Sequence, residues 1–238
     1  MKDLFGKAIL DFQTTASPST LVTETNISEA DEMEVAYLFR TYKEMPKIEQ
    51  KALQLSKGKV LDVGCGAGSH TLYLQEKGLE VTAIDISENA IKACHLRGLQ
   101  NVKVQNVLDL GKDPDSHQDK FDTILLLMNG TGIFGTLAET SKYLQKLKSL
   151  LNPNGQILID SSDIIYMFDE EEDGSKWVPS DGYYGELTFT ISYKNETEAP
   201  FPWLYLDYNT LQNACHANGL QCELVLEGEH FDYLARIF

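Results

Sequence analysis

The sequence has few basic side chains for its size and contains no long apolar run. Its 238 residues include 20 Lys and Arg against 36 Asp and Glu, which gives a formal net charge of −16. Such a charge repels phosphate backbones and anionic lipid surfaces, so we expect neither nucleic acid nor a membrane as a partner. No apolar stretch approaches the ~20 residues of a membrane helix, and the first residues lack the apolar run of a secretion signal. These features predict a cytoplasmic protein.

Cysteine is also scarce, and its spacing does not indicate metal binding. The sequence contains 4 Cys, without a Cys-x-x-Cys pair or a Cys/His pattern at zinc spacing. We therefore expect reduced thiols, no disulfide framework and no metal site. The remaining composition, 42% hydrophobic and 24% charged, is that of an ordinary globular protein, and the length favours a single domain.

Residues 1–57 predict a helical N-terminal cap. Residues 14–25 are rich in Ser and Thr and predict a mobile leader, with the first ordered element after it. Residues 28–40 start with a pattern that resembles a capping box and continue with apolar residues at helical spacing, which predicts one amphipathic helix. Pro46 is suited to the first position of a second helix.

Residues 58–162 alternate short apolar segments with amphipathic helical segments. This rhythm is typical of an open α/β fold with a mostly parallel sheet and right-handed crossovers. The segment at 121–128 is apolar on both faces, as expected for a central strand covered by helices on both sides. The predicted strands are 60–63, 81–85, 102–106, 121–128 and 156–160.

The C-terminal region departs from this alternation. Residues 207–238 contain a helical segment and then two strand segments whose linker is too short for a crossover, so an antiparallel hairpin must close the sheet. Residues 163–206 form an insertion, which we expect to act as a substrate lid and to contain a strand pair at 186–193 and 201–206. The sequence thus predicts a Rossmann-like α/β fold with a seven-stranded, mostly parallel sheet, a terminal antiparallel hairpin and helices on both faces.

The clearest motif is a strand that runs into three alternate glycines, Gly64, Gly66 and Gly68, at the start of a helix. Backbone N–H groups in such a loop can approach a ligand closely. Asp85 ends the next strand, which places its carboxylate beside the tip of the first strand, where it can accept hydrogen bonds from ribose hydroxyls. Together these residues describe a pocket for an adenosine-type ligand.

The spacing separates two kinds of nucleotide ligand. The dinucleotide fingerprint Gly-x-Gly-x-x-Gly requires a third glycine at the position of Ser69. Asp62 also precedes the glycines, and its carboxylate is unfavourable beside a pyrophosphate but suits a positively charged ligand. An NAD(P)-dependent oxidoreductase remains the alternative, together with a module that binds the cationic ligand without catalysis.

The pattern Asp62-x-Gly64-x-Gly66-x-Gly68 resembles the class I S-adenosylmethionine-dependent methyltransferases. This resemblance implies S-adenosylmethionine as cofactor and S-adenosylhomocysteine as product. It also implies the following cofactor-binding residues: Asp62, Gly64, Cys65, Gly66, Gly68, Asp85, Ile86, Asn106, Val107, Met128 and Asn129.

The resemblance assigns roles to several of these residues. Asp85 would hold the ribose, and Ile86 would form an apolar wall for adenine. Asn106 stands where the family usually has an acid for the adenine amino group, and its amide oxygen can accept the same hydrogen bond; Asp109 is the second choice. Met128 and Asn129 would line the methionine moiety and the substrate mouth.

The implied reaction is an in-line methyl transfer to a nitrogen, oxygen, sulfur or carbon atom of a small molecule, by a monomer or homodimer. No residue carries the signature of a general base. Tyr37, Tyr42 and His70 are the candidates for catalysis, and each also fits a packing role. The aromatic residues of the insertion either wall a substrate pocket or cage a cationic amine, or they pack a sheet face.

Overall fold

The fold is built from two β-sheets and the helices that pack on them. A computed structural model describes residues 2–16, 20–111, 120–171, 173–180 and 182–238. The helices are α1 (Leu4–Thr15), α2 (Lys47–Leu55), α3 (Ser69–Glu76), α4 (Glu88–Leu96), α5 (Thr140–Ser149) and α6 (Tyr208–Ala217). The strands are β1 (Thr20–Thr25), β2 (Ser28–Glu34), β3 (Lys59–Val63), β4 (Glu80–Asp85), β5 (Val102–Val104), β6 (Phe121–Leu126), β7 (Leu151–Ser162), β8 (Glu186–Tyr193), β9 (Glu196–Thr197), β10 (Phe201–Leu204), β11 (Cys222–Glu227) and β12 (Asp232–Ile237).

The large sheet has seven strands in the order β11-β12-β7-β6-β3-β4-β5. Its β3, β4, β5, β6 and β7 pair in parallel, whereas β12 runs antiparallel to β7 and β11 antiparallel to β12. The predicted seven-stranded sheet with its terminal hairpin is therefore confirmed. Because the paired strands run in one direction, their carboxyl ends meet at a single edge, where ligands bind in sheets of this kind.

Helices cover both faces of the large sheet, as the apolar character of β6 predicts. Leu126 packs in the same buried cluster as residues of α5 and α6, while the neighbouring Leu125 points to the opposite cluster with residues of α2 and α3. Successive side chains of a strand alternate between faces, so a strand buried on both sides needs apolar residues at consecutive positions.

The small sheet is antiparallel, with strand order β10-β8-β1-β2, and β9 pairs with β8. Its buried face packs on α1: Leu21, Ile191 and Tyr193 lie in one cluster with Leu4 and Ile9. The insertion therefore supplies β8, β9 and β10, and the N-terminal region supplies β1 and β2. The predicted strand pair of the insertion is confirmed, but its pairing with the N-terminal region was not predicted.

The predicted structure of the first forty residues is wrong in two respects. Residues 14–25 are not a mobile leader that precedes the first ordered element, because α1 already spans Leu4–Thr15 and β1 spans Thr20–Thr25; residues 17–19 lie outside the described residues. Residues 28–40 do not form one helix, because Ser28–Glu34 pairs with β1 and only Val35–Phe39 is helical, as a 3-10 turn. The predicted helical cap is thus one helix, a hairpin, two short 3-10 turns and α2.

The predicted helix at 28–40 does not form, for one local and one non-local reason. Ser28 does not cap a helix; its hydroxyl lies 2.8 Å from the Thr25 hydroxyl at the turn of the β1–β2 hairpin. The β1–β2 hairpin is further stabilised by β8, which pairs with β1 and lies more than 160 positions away in the chain. A sequence pattern that covers only a few neighbouring residues cannot indicate a pairing strand so far away.

Across the described residues, none of the helices combines the length with the apolar composition that crossing a membrane requires.

The attachment of the small sheet to α1 yields the first prediction. Leu21 is fully buried against α1, whereas Val22 on the opposite face of β1 is half-buried. We expect Leu21→Ala to lower the free energy of unfolding by about 2–5 kcal/mol and Val22→Ala to lower it much less. Urea denaturation of both variants measures the difference. Equal losses would show that the two faces are equally packed.

Candidate active site

The glycine loop connects β3 to α3 at the carboxyl edge of the large sheet. Gly64, Gly66 and Gly68 have φ angles of +73°, +52° and +78°, a region that residues with a Cβ rarely adopt. The backbone N–H groups of Gly64 and Cys65 both donate to the Ile84 carbonyl oxygen, at 2.9 and 3.1 Å. The loop is thus fixed to the end of β4 while its own backbone stays free of side chains.

Asp85 lies directly on this loop, as the sequence predicts. Its Oδ2 accepts a hydrogen bond from the Gly66 N–H at 2.9 Å, and its Oδ1 accepts one from the Ser87 N–H at 2.9 Å. Burial raises the pKa of Asp85, and these two backbone donors oppose that shift. The next residue, Ile86, is 68% exposed, an unusual state for a large apolar side chain. A carboxylate and an apolar surface therefore adjoin the loop on one side.

Asp62 lies beneath the loop and is fully buried. It accepts a hydrogen bond from the Thr71 hydroxyl at 2.5 Å, so it ties the first turn of α3 to the end of β3. Burial raises the pKa of Asp62. Cys65 is likewise buried, and hydrogen bonding to the Cys94 thiol, followed by burial, raises its pKa. Only the backbone of Cys65 is therefore available to a ligand of the loop.

The predicted adenine site follows β5. The Asn106 Oδ1 accepts a hydrogen bond from the Leu108 N–H at 2.9 Å and thereby caps a short 3-10 turn. Asn106 is exposed, whereas Val107 is buried in the main core cluster. The structure thus uses the Asn106 amide oxygen, which the sequence assigned to adenine, in a local turn.

Met128 and Asn129 follow β6 in a strained conformation. Both have left-handed backbones, with φ of 68° and 58°, and such residues are concentrated at functional sites. Asp160 at the end of β7 holds this turn: its carboxylate accepts hydrogen bonds from the N–H groups of Met128, at 3.0 Å, and Gly130, at 2.9 Å. Burial raises the pKa of Asp160 to about 6. The sequence analysis missed this residue, although an acid at the end of a buried strand is the signal that identified Asp85.

A buried network of charged groups lies beside α3. The Arg40 guanidinium forms an ion pair with Glu49, and the His70 Nε2 lies 2.5 Å from the other Glu49 carboxylate oxygen. All three side chains are at most one-tenth exposed. His70 and Arg40, next to Glu49, hold the pKa of this carboxyl below its ordinary value against the effect of burial. Among the residues that the structure describes, the Arg40 Nε has no hydrogen-bond partner.

The segment that carries Arg40 contacts the chain just after the glycine loop. The Ser69 hydroxyl, one residue past the last glycine, donates to the Leu38 carbonyl oxygen at 2.7 Å. The Tyr37 ring covers the guanidinium, with the Arg40 Cζ 4.1 Å from the ring centroid. The segment 35–40 therefore contacts the start of α3, and its buried Arg40 is linked to α3 through Glu49 and His70, an arrangement that no local sequence pattern indicates.

The three candidates for catalysis separate in the structure. His70 is buried and bonded to Glu49, and Tyr37 is 42% exposed over Arg40. Tyr42 stacks on Tyr73 with ring centroids 4.2 Å apart, and its hydroxyl accepts a hydrogen bond from Gln54. The structure thus brings His70 and Tyr37 to one network and gives Tyr42 a separate packing contact.

Helix α1 lies over the part of this edge that carries Asp85 and the glycine loop. The Asp3 carboxylate accepts hydrogen bonds from Ser87 and Asn89 at the start of α4, both at 2.9 Å. A Cβ atom at Gly66 would contact the Ile9 side chain at 3.9 Å. The first helix therefore forms one wall of the space above the glycine loop.

Comparison with known proteins identifies the family. A family model described as a methyltransferase domain matches residues 54–217, which include the glycine loop, Asp85 and Asp160. The crystal structure of a SAM-dependent methyltransferase from Bacteroides fragilis, solved in complex with S-adenosyl-L-homocysteine, is 43% identical in sequence. The alignment covers 100% of this chain and 94% of that chain, with a TM-score of 0.90.

Curated relatives match over a shorter length. A putative methyltransferase of Bacillus subtilis, YqeM, is 25% identical over 104 residues, and a ubiquinone biosynthesis O-methyltransferase of Xanthomonas euvesicatoria is 28% identical over 114 residues. The matches cover 44% and 46% of this chain and 42% and 45% of those proteins, so the chain spans less than half the length of these relatives. The domain match and the full-length similarity together show that this chain belongs to the class I S-adenosylmethionine-dependent methyltransferases.

Proposed function

We propose that this protein transfers the methyl group of S-adenosylmethionine to a nucleophilic nitrogen, oxygen, sulfur or carbon atom of a small molecule. The observation that carries the proposal is the contact between the Asp85 carboxylate and the Gly66 N–H at the carboxyl edge of the sheet. The family membership agrees with it. The glycine loop does not support a nicotinamide cofactor, because Ser69 stands where the dinucleotide fingerprint has its third glycine.

The loop and its neighbours fit the adenosine half of this cofactor. The three glycines leave the backbone open to close approach, and the Asp85 oxygens can accept hydrogen bonds from ribose hydroxyls as readily as from Gly66 and Ser87. Ile86 offers the exposed apolar surface that an adenine ring needs. We keep Asn106 and Val107 as the residues beside the adenine ring. We keep Met128 and Asn129 as the residues beside the methionine moiety and its methyl group.

Arg40 fits the other end of the cofactor. Its guanidinium is buried, and within the described residues one of its N–H groups has no partner, a costly state unless a ligand completes it. A carboxylate is the group that a guanidinium binds best. We therefore assign the methionine carboxylate to Arg40, which is held by Glu49 and, through it, by His70.

The protein contributes orientation rather than an acid–base step. Bound S-adenosylmethionine supplies a methyl group already activated by a sulfonium, so holding the acceptor in line is the main requirement, worth up to about 7–11 kcal/mol. Asp160 fixes the strained turn at Met128 and Asn129, which borders the acceptor side. We assign His70 and Tyr37 to the support of Arg40 and Tyr42 to packing. The formal charge of −16 disfavours nucleic acid as the acceptor and so favours a small molecule. We place this reaction in the cytoplasm.

The ribose contact gives the second prediction. Asp85→Ala should weaken binding of S-adenosylhomocysteine by about 1–3 kcal/mol, because the ribose hydroxyls lose their acceptor. Glu88→Ala, which removes an exposed acid from the first turn of α4, should bind as the wild type does. Isothermal titration calorimetry measures both. Unchanged affinity in Asp85→Ala would place the ribose elsewhere, and binding of NAD(H) alone would overturn the assigned cofactor.

The carboxylate contact gives the third prediction. Decarboxylated S-adenosylmethionine lacks the group assigned to Arg40, so the wild type should bind it about 1.5–3 kcal/mol more weakly than S-adenosylmethionine. In Arg40→Lys this preference should shrink, because a lysine cannot keep the Glu49 pair and reach the ligand with the same geometry. Arg97→Lys, at another arginine beside the loop, should keep the preference. An undiminished preference in Arg40→Lys would remove Arg40 from the site.

The support of Arg40 gives the fourth prediction. Glu49→Gln leaves two buried basic groups without their carboxylate, so we expect a loss of about 3–5 kcal/mol in the free energy of unfolding at pH 7. Since the pKa of Glu49 is lowered in the folded protein, its contribution is present above the unfolded pKa and is lost as the pH falls through the folded value. The difference in the free energy of unfolding between the wild type and Glu49→Gln should therefore become smaller below about pH 4.5.

Urea denaturation at several pH values tests this expectation. Glu76→Gln, which alters an exposed acid at the end of α3, is the control and should cost little at any pH. A Glu49→Gln variant as stable as Glu76→Gln would contradict a role for the ion pair in holding Arg40.

A further inference from the structure

One face of the small sheet is packed on α1 at one end and carries half-buried aromatic rings towards the other. At the packed end, Leu21, Ile191 and Tyr193 are buried against α1. Phe189 lies two residues before Ile191 on β8 and therefore on the same face. The antiparallel register places Phe201 directly opposite Phe189. These rings are only half-buried, although they continue the face that α1 covers.

Four partly exposed aromatic side chains lie towards this end, and we name them the aromatic wall. Its ring centroids lie 6.1–6.3 Å from that of Phe189, so no ring is covered by close face-to-face stacking on that residue. All four side chains are half-buried. Burial raises the pKa of Tyr205 to about 12, so its phenol is neutral at pH 7. The members of the aromatic wall are Phe189, Phe201, Trp203 and Tyr205.

The aromatic wall adjoins the turn that borders the acceptor side. A Cβ atom at Gly132 would overlap the Trp203 ring, so this glycine is required where the wall meets the chain after β6. Phe201 and Met128 pack against the same apolar cluster. The wall therefore stands next to the carboxyl ends of β6 and β7, on the side where the acceptor must reach the methyl group.

The charge of the small sheet selects the acceptor class. Its four longer strands contain no Lys or Arg, and their acidic residues are Glu24, Glu29, Asp31, Glu32, Glu34 and Glu186. Two basic residues beside the sheet are paired with acids, Lys7 with Glu196 and Lys194 with Asp11. Such a surface repels anions and concentrates cations at the cleft.

We propose that the methyl acceptor is a small organic amine that reaches the site as a cation and rests its ammonium group against the aromatic wall. Aromatic faces attract an ammonium, and the acidic residues of the small sheet raise the concentration of cations near it. The proposal rests on the proposed function and adds the acceptor class. In the reaction the ammonium first loses a proton to solvent. The nitrogen lone pair then forms the N–C bond, and the electron pair of the broken C–S bond stays on sulfur.

Three aromatic probes of matched shape and different charge test the acceptor class. Phenethylamine, 2-phenylethanol and 3-phenylpropionate carry a cationic, a neutral and an anionic group on the same short chain. With the full chain saturated by S-adenosylhomocysteine, calorimetry should show the amine binding roughly 3- to 30-fold more tightly than the alcohol, and the carboxylate most weakly. Equal or tighter binding of the alcohol or the carboxylate would overturn the proposal.

A variant of the aromatic wall locates the ammonium. Phe189→Leu should reduce the preference for the amine over the alcohol severalfold, because a leucine lacks the aromatic face that attracts an ammonium. Unfolding in urea checks that the variant is folded. An undiminished preference in the folded variant would overturn the assigned position of the amine.

A product assay separates this proposal from the proposed function. With S-adenosylmethionine present, mass spectrometry of a panel of amines, phenols, thiols and carboxylic acids should find methylation among the amines. Methylation confined to another class would overturn the amine but keep the methyltransferase. A protein that fails to bind S-adenosylhomocysteine would instead overturn the proposed function itself.

Discussion

The parallel pairing of β3, β4, β6 and β7 is the constraint on which the active site depends. It brings the glycine loop, Asp85, the Met128 turn and Asp160 to one edge of the sheet, although they are separated by nearly a hundred positions in the chain. The Gly66–Asp85 hydrogen bond exists only because β3 and β4 end side by side. Any change in this register would move a strand end away from its partner and separate the groups.

Around this edge the protein keeps charged groups away from water at a considerable energetic cost. Glu49 and Arg40 form an ion pair, His70 contacts the same carboxylate, and Asp160 is stabilised by backbone N–H groups. Removing ions from water is unfavourable unless hydrogen bonds replace the lost solvation. The exception is the Arg40 Nε, which within the described part of the chain lacks such a bond. The proposed carboxylate ligand would supply it.

Two distant parts of the chain build the surface above this edge. The N-terminal hairpin and the insertion form one small antiparallel sheet, one end of which is packed on α1 while the other presents the aromatic wall. The core fold is shared by many methyltransferases, so the acceptor has to be chosen by such added elements. In this protein they combine aromatic rings with negative charge.

The sequence by itself determined the large sheet, the glycine loop and the position of Asp85, because strand periodicity, glycine spacing and a strand-end acid are all local patterns. It did not determine the structure of the first forty residues, because the partner of β1 is a strand more than 160 positions away. It also missed Asp160 and the pairing of Arg40 with Glu49. Only the tertiary structure decided these features, because burial and ion pairing depend on which segments meet in space and not on their order along the chain.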